Sequence, residues 1–176
     1  GNVLIDQWIQ KHLNLNYDAQ GKWAKSGKID YQLVEKLKQD PYFQLAPAKS
    51  TGKEYFSLAW VNQNINVTNY KAEDIQATLT YLTASTITDD IKRYAPNTER
   101  VLICGGGIHN DYLLELIKQN LNCPVHSTEC YGIHPDHVEA MAFAWLARQT
   151  LNHATGNLKE VTGATHNVIL GGIYLA

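Results

Sequence analysis

Val101-Leu102-Ile103-Cys104 runs into Gly105-Gly106-Gly107, and Ile108-His109-Asn110 then leads into Asp111-Tyr112-Leu113-Leu114-Glu115-Leu116-Ile117. That is the order strand, glycine turn, helix. Four apolar residues, two of them β-branched, predict a buried strand of the parallel type. Three glycines break it, and apolar residues at helical spacing follow. Without Cβ atoms a base, a sugar or a phosphate can lie directly on the backbone, and the helix start beyond offers free N–H groups to an anion. This points to a nucleotide or a phosphorylated ligand. A tight strand-to-helix turn needs glycine for steric reasons too, so both readings stand at this stage.

Composition narrows the partners. The 176 residues suit one domain able to bury a real core, and 44% hydrophobic with 18% charged residues is ordinary for a globular protein. A formal net charge of -2 gives no excess of Lys and Arg for a polyanion, so nucleic acid is not an expected partner. No apolar run approaches the roughly 18 residues of a membrane span, and no basic-then-apolar leader opens the chain. A cytoplasmic location without membrane partners is the expectation. Cys104, Cys123 and Cys130 make an odd count, with Cys104 inside the expected buried strand, so no disulfide framework is indicated.

Around that stretch the chain predicts helices. Val3-Leu4-Ile5, Trp8-Ile9 and Leu13 are spaced for an amphipathic helix that has almost no lead-in, so the chain reads as the back half of something larger. Residues 14 to 28 read as a polar loop. Asp30 then caps a helix from Tyr31 to Gln39 with Leu33, Val34 and Leu37 on one face, stopped by Asp40-Pro41. Lys49-Ser50-Thr51-Gly52-Lys53-Glu54 holds groups that could touch a phosphate but lacks P-loop spacing. A helix-start turn capped by Ser50 or Thr51 is the competing reading. Trp60, Val61 and Ile65 are expected in the core.

A long helix is predicted from Ala72 to Tyr94, acidic in its first turn and basic in its last, with Ile75, Leu79, Leu82, Ile87 and Ile91 as its buried stripe. Its threonines disfavour an isolated helix, so packing on a sheet is expected to stabilise it. Cys123-Pro124-Val125-His126-Ser127-Thr128 reads as a second short strand, with Pro124 tolerated at its start, which completes a parallel helix-strand-helix-strand order.

A further candidate lies beyond the second strand. Pro135 suits a first helical position, and Val138 to Ala147 reads as a helix whose alanines predict close packing. Glu139 is the only charge in that run. It is either a first-turn carboxylate favoured by the helix dipole or a group facing a ligand cleft. His134-x-x-His137 with Glu139 is the tightest metal-like cluster, but its spacing fits neither a zinc finger nor a zinc-protease helix, so no metal site is assigned. No Gly-x-Ser-x-Gly elbow supports hydrolase chemistry. Residues beyond 150 read as turns before a short terminal strand or packed tail.

Taken together, Lys49 to Glu54, Gln76-Ala77-Thr78-Leu79-Thr80, Cys104-Gly105-Gly106-Gly107 with Asn110, Glu139 to Ala147, and Asn157-Leu158 before Val161-Thr162-Gly163-Ala164 resemble the carboxy-terminal half of the anhydro-N-acetylmuramic acid kinases. Each motif is weak alone, but five in the same order span nearly the whole chain. The resemblance implies an α/β fold, the carboxy-terminal lobe of an actin-like (ribonuclease H-like) ATPase. This lobe would be helix-rich with a few parallel strands, and residues 1–176 would form it alone. The implied activity is that of a bacterial, ATP- and Mg2+-dependent kinase in cell-wall recycling. Such a kinase opens the 1,6-anhydro ring of anhydro-N-acetylmuramic acid with water and phosphorylates O6.

By the same resemblance Gly105, Gly106, Gly107 and Asn110 would hold the adenosine side of ATP, with Gly1 and Asn2 near its phosphates and Glu139 near the sugar. Asn110 has an ordinary competing role as a helix cap. Gly1-Asn2 match the end of the family's Asp-Thr-Gly-Pro-Gly-Asn loop. The catalytic base would then stand four residues upstream of Gly1, and no residue of this chain is assigned that role. The partners implied are the amino-terminal lobe, the anhydro amino sugar and, through an open sheet edge, a second copy. The chain alone is expected to be inactive. A noncatalytic nucleotide-sensing module of the same fold is the alternative. A dinucleotide-binding domain fits poorly, because three adjacent glycines do not make Gly-x-Gly-x-x-Gly.

Overall fold

The computed structural model describes residues 2–174, and Gly1 lies outside the described residues. Helix α1 (Val3–Leu13) opens the fold and buries Leu4, Ile5, Trp8 and Ile9, with the Trp8 indole donating to Ala72 O at 2.8 Å. Leu13, expected on the buried face, is 47% exposed because the helix overruns the core by a turn. Residues 14 to 28 are more than a loop. They contain a 3-10 turn (Ala19–Gly21) and a short helix α2 (Lys22–Ser26), which Asp18 starts by accepting the N–H groups of Trp23 and Ala24 at 3.0 and 2.9 Å.

Helix α3 (Tyr31–Leu37) is capped by Asp30 as expected, and Leu33, Val34 and Leu37 are buried. Asp40 in turn caps the four-residue α4 (Pro41–Gln44) and accepts from the Trp60 indole at 2.8 Å. Neither Ser50 nor Thr51 caps a helix. Ser57 does so for α5 (Leu58–Asn64), and Trp60, Val61 and Ile65 reach the core as the sequence predicts. Lys49 is engaged by Asp90 at 2.9 Å and stands over the Tyr42 ring.

The long helix α6 (Ala72–Tyr94) has the predicted bounds and is the spine of the fold. One core cluster joins it to α1, α3 and α5 through Trp8, Val34, Trp60, Ile75 and Leu79. A second joins it to the helix after the glycines through Ala84, Leu113, Leu116 and Ile117. Its main partners are therefore helices rather than the expected sheet. Ile87 is 38% exposed, and the buried face continues instead through Thr78, Thr80, Thr83 and Thr88. Their hydroxyls bond to carbonyls three or four residues back, which satisfies them inside the core.

Strand β1 (Val101–Ile103) pairs in parallel with β2 (Val125–Ser127), Val101 opposite Val125 and Ile103 opposite Ser127. Between them runs α7 (Asp111–Asn120), so the predicted parallel crossover is present. The expectation of a fully buried strand fails. With two strands the sheet lacks a second covering layer, so Leu102 is 42% exposed and Cys104, just past the strand, is exposed.

Helix α8 (Val138–Leu151) forms as predicted, but its alanines do not pack closely. None of its residues is buried. The final α9 (Lys159–Thr162) precedes a tail that returns to α8, where Thr150 Oγ1 donates to Leu170 O and Gly156 N–H to Val168 O. No terminal strand forms among the described residues. The chain is thus a helix-rich α/β fold with a small parallel sheet. Among the described residues no helix is long and apolar enough to cross a membrane.

Candidate nucleotide site on the glycine turn

The three glycines differ in what their surroundings require of them. Gly105 takes φ +74° and ψ -178°, a region essentially closed to residues with a Cβ, while its N–H donates to Pro135 O at 3.0 Å. A Cβ on Gly107 would stand 3.4 Å from the side-chain amide of Asn2, an ordinary contact that leaves room for it. Gly106 is freer still, because a Cβ there would meet nothing within 4 Å and its φ lies outside the left-handed region. The steric reading of the turn therefore covers Gly105 but neither Gly106 nor Gly107.

The turn continues as a single 3-10 turn (Gly106–His109) into Asn110, whose Oδ1 accepts the Leu113 N–H at 2.9 Å and starts α7. Asn110 is 7% exposed. Its predicted capping role is real, and it brings the amide to the foot of the glycine turn. Asn2 starts α1 without a side-chain cap bond, so its amide remains directed at Gly107. Asn2, Gly105, Gly106, Gly107 and Asn110, distant in sequence, thus meet where β1, α1 and α7 converge.

Two depressions flank this point, and Asn2 and Gly106 wall both. One, of about 480 Å3, is bordered by the polar residues Asp6, Asp18, His109, Asn110 and Asp136. The other, of about 500 Å3, is mostly apolar, with Thr83, Ile87, Leu102, Cys104 and Gly107. Thr83 and Ile87 also border a third, of about 420 Å3, which reaches Tyr42, Lys49 and Thr51. Burial, and then the charge of Asp18, hold the Asp6 carboxyl above the usual carboxylate range. His109 Nε2 faces both carboxylate oxygens of Asp136, at 3.0 and 3.1 Å, which ties the glycine turn to the Pro135–His137 turn a second time.

Glu139 is not part of this constellation. It sits on the exposed first turn of α8 and lines none of the three depressions, so burial gives no reason for it to need a ligand. His134 caps the Pro135–His137 turn by accepting the Asp136 N–H, and its ring lies 4.7 Å from that of His137. Among the described residues no three His, Cys, Asp or Glu side chains gather in a way that could hold a metal ion. Sequence reading missed Asp6, Asp18, Gly21, His109 and Asp136. Asp18 and Gly21 carried only the signal of a polar loop, and Asp136 that of a carboxylate suited to a helix start.

The comparisons with known proteins agree with one another. The chain is 46% identical over 177 residues to a Coxiella burnetii protein named anhydro-N-acetylmuramic acid kinase, an alignment covering 99% of this chain and 47% of that relative. It is 49% identical to a protein of the same name from Saccharophagus degradans, at 99% and 47% coverage. Against one from Nitrosomonas europaea it is 46% identical, at 100% and 48% coverage. The chain spans about half the length of the curated relatives it matches. A family model described as anhydro-N-acetylmuramic acid kinase matches residues 1–176. From motifs, fold and match together, the chain belongs to the anhydro-N-acetylmuramic acid kinase family.

Proposed function

We propose that this chain is the nucleotide-side lobe, of actin-like fold, of a longer cytoplasmic kinase. That kinase hydrolyses 1,6-anhydro-N-acetylmuramic acid and phosphorylates its O6 to give N-acetylmuramic acid 6-phosphate. The observation that carries the nucleotide assignment is Gly106, a glycine that neither its backbone angle nor a neighbour requires, set between Asn2 and Asn110. A bare backbone facing open space beside a helix start is what a nucleotide needs in order to lie close.

ATP fits this cradle. Gly105, Gly106, Gly107 and Asn110 take its adenosine side, and Asn2, with Gly1, its phosphates. When bound, ATP supplies the phosphoryl group, with Mg2+ neutralising its charge. Among the described residues there is no carboxylate cage for Mg2+, and Mg2+ seldom needs one, since it keeps several waters and is held largely by substrate phosphates. The carboxylate that activates water at the anomeric carbon comes from outside this chain, and Glu139 faces the sugar only once the other half is in place. The chain alone is therefore inactive, and the partner that completes it is the remainder of the protein. Exposed apolar residues on α8, with Phe143 64% and Trp145 50% exposed, provide a surface for that half to cover.

Gly106→Val tests the assignment. A Cβ at this position meets nothing within 4 Å, so the full-length variant should fold as the parent does. Calorimetric titration should find binding of Mg-ATP weakened by at least about tenfold, equivalent to about 1.4 kcal/mol, while binding of the anhydro sugar is kept. Unchanged ATP affinity would remove the nucleotide from the glycine turn.

A further inference from the structure

Between α1 and α3 the chain makes a detour that packs Trp23 and Ala24 against the core and carries Gly21 to the start of α7. Gln20 and Gly21 both take left-handed backbone, at φ +59° and +68°, a conformation that disfavours a residue with a side chain such as Gln20. The detour is held from inside. Asp18, 5% exposed, accepts the Trp23 N–H on Oδ1 at 3.0 Å, the Ala24 N–H on Oδ2 at 2.9 Å, and the Gln76 amide of α6 on Oδ2 at 3.3 Å. Three donors converge there, so a carboxylate suits the position where an amide would turn its own N–H2 towards one of them.

The consequence is felt at the start of α7. Gly21 lies against Asn110 so closely that a Cβ on it would stand 2.2 Å from Asn110 Oδ1 and 2.6 Å from Tyr112 Cβ. That oxygen is the one that caps α7. Lys25 adds an ion pair with Glu115 at 2.6 Å and lies over the Tyr112 ring, so α2 and the first turns of α7 are fastened together on the side facing the detour. Asp18 and Asn110 both border the depression of about 480 Å3 next to Gly106.

We infer that Asp18 and Gly21 are positioning residues for the nucleotide. By laying backbone without a side chain against Asn110, they fix that amide and the start of α7 in the geometry that receives the adenosine side of ATP. This rests on the reading that ATP lies on Gly105–Gly107 and Asn110. Both residues act through Asn110, and the dependence on a carboxylate at 18 and on glycine at 21 is specific to nucleotide affinity.

The test is a double-mutant cycle in the full-length protein, with Mg-ATP and the anhydro sugar titrated separately. Gly21→Ala and Asp18→Asn should each weaken ATP by about tenfold, the cost of misplacing one buried hydrogen-bonding group. Sugar affinity should stay at the parent level. The double variant of Gly21→Ala with Asn110→Ala should bind ATP no more weakly than Asn110→Ala alone, because both changes remove one shared contact. Additive losses, parallel loss of sugar affinity, or parent-like ATP binding by Gly21→Ala would each overturn the inference. Should Gly21→Ala fail to fold, Asp18→Asn completes the same cycle with Asn110→Ala. Loss of ATP binding in Gly106→Val with none in Gly21→Ala or Asn110→Ala defeats the positioning role alone. Retention in Gly106→Val defeats the reading beneath it as well.

Discussion

Asp6 stands one turn into α1, partly withdrawn from water and under the influence of the Asp18 charge, and both effects hold its carboxyl above the ordinary range. The direction decides its sign in stability. A carboxyl with a folded-state pKa above its unfolded value contributes favourably below the unfolded value, about 3.9, and that contribution is lost as pH rises through the folded value. At neutral pH ionised Asp6 is therefore a liability. Asp6→Asn should melt above the parent at pH 7, and the gap should close as pH falls towards about 4. A gap of constant size across a series of thermal melts would show that the carboxyl is not the cause. The same scale explains what the sequence could convey about the site. Asn110 capping α7 is a bond over three residues and is legible in any sequence. Gly21 against Asn110, or His109 against Asp136, is a contact made only when distant segments fold together, and a lone glycine or aspartate carries no trace of it.

Among the elements, α6 shows most plainly what is legible and what is not. Its bounds follow from local chemistry, with Glu73 and Asp74 at the positive end, Lys92 and Arg93 at the negative end and Pro96 beyond. Its surroundings do not, because threonine at helical spacing looks the same facing water, a sheet or another helix. Once hydroxyls such as that of Thr80 bond back to the helix carbonyls, a polar residue enters the core at small cost. Thr80→Val keeps the shape and leaves the Gln76 carbonyl its backbone partner, so it should change stability by less than about 1 kcal/mol. Leu79→Ala, at a fully buried neighbour in the cluster with Trp8 and Val34, should cost about 2–5 kcal/mol. Denaturant titration of the two variants compares these directly, and equal losses would mean that the hydroxyls, not the packing, hold α6 in place. Helix α2 is the opposite case. Five residues form no stable helix alone, and this one exists because Asp18 supplies acceptors to its first N–H groups.

For the whole molecule, the unfinished part is α8. Met141, Phe143, Trp145 and Leu151 are 53, 64, 50 and 66% exposed, although the sequence around them has the alanine-rich, nearly uncharged character of a buried helix. Composition thus predicts burial that these residues do not provide for one another. The relatives are about twice as long as this chain, so the covering surface is sought in the other half. The proposal gives a prediction with two distinguishable occupants. If the other half covers α8, Phe143→Ala in the full-length protein should cost about 3–5 kcal/mol, the usual range for truncating a buried phenylalanine, at every protein concentration. If a second copy covers it, the loss should appear as weaker self-association, with the midpoint of unfolding shifting as protein is diluted. A cost below about 0.5 kcal/mol at all concentrations is what an open surface position gives. That result would leave the apolar face of α8 facing solvent and would reject it as the seam between the two halves.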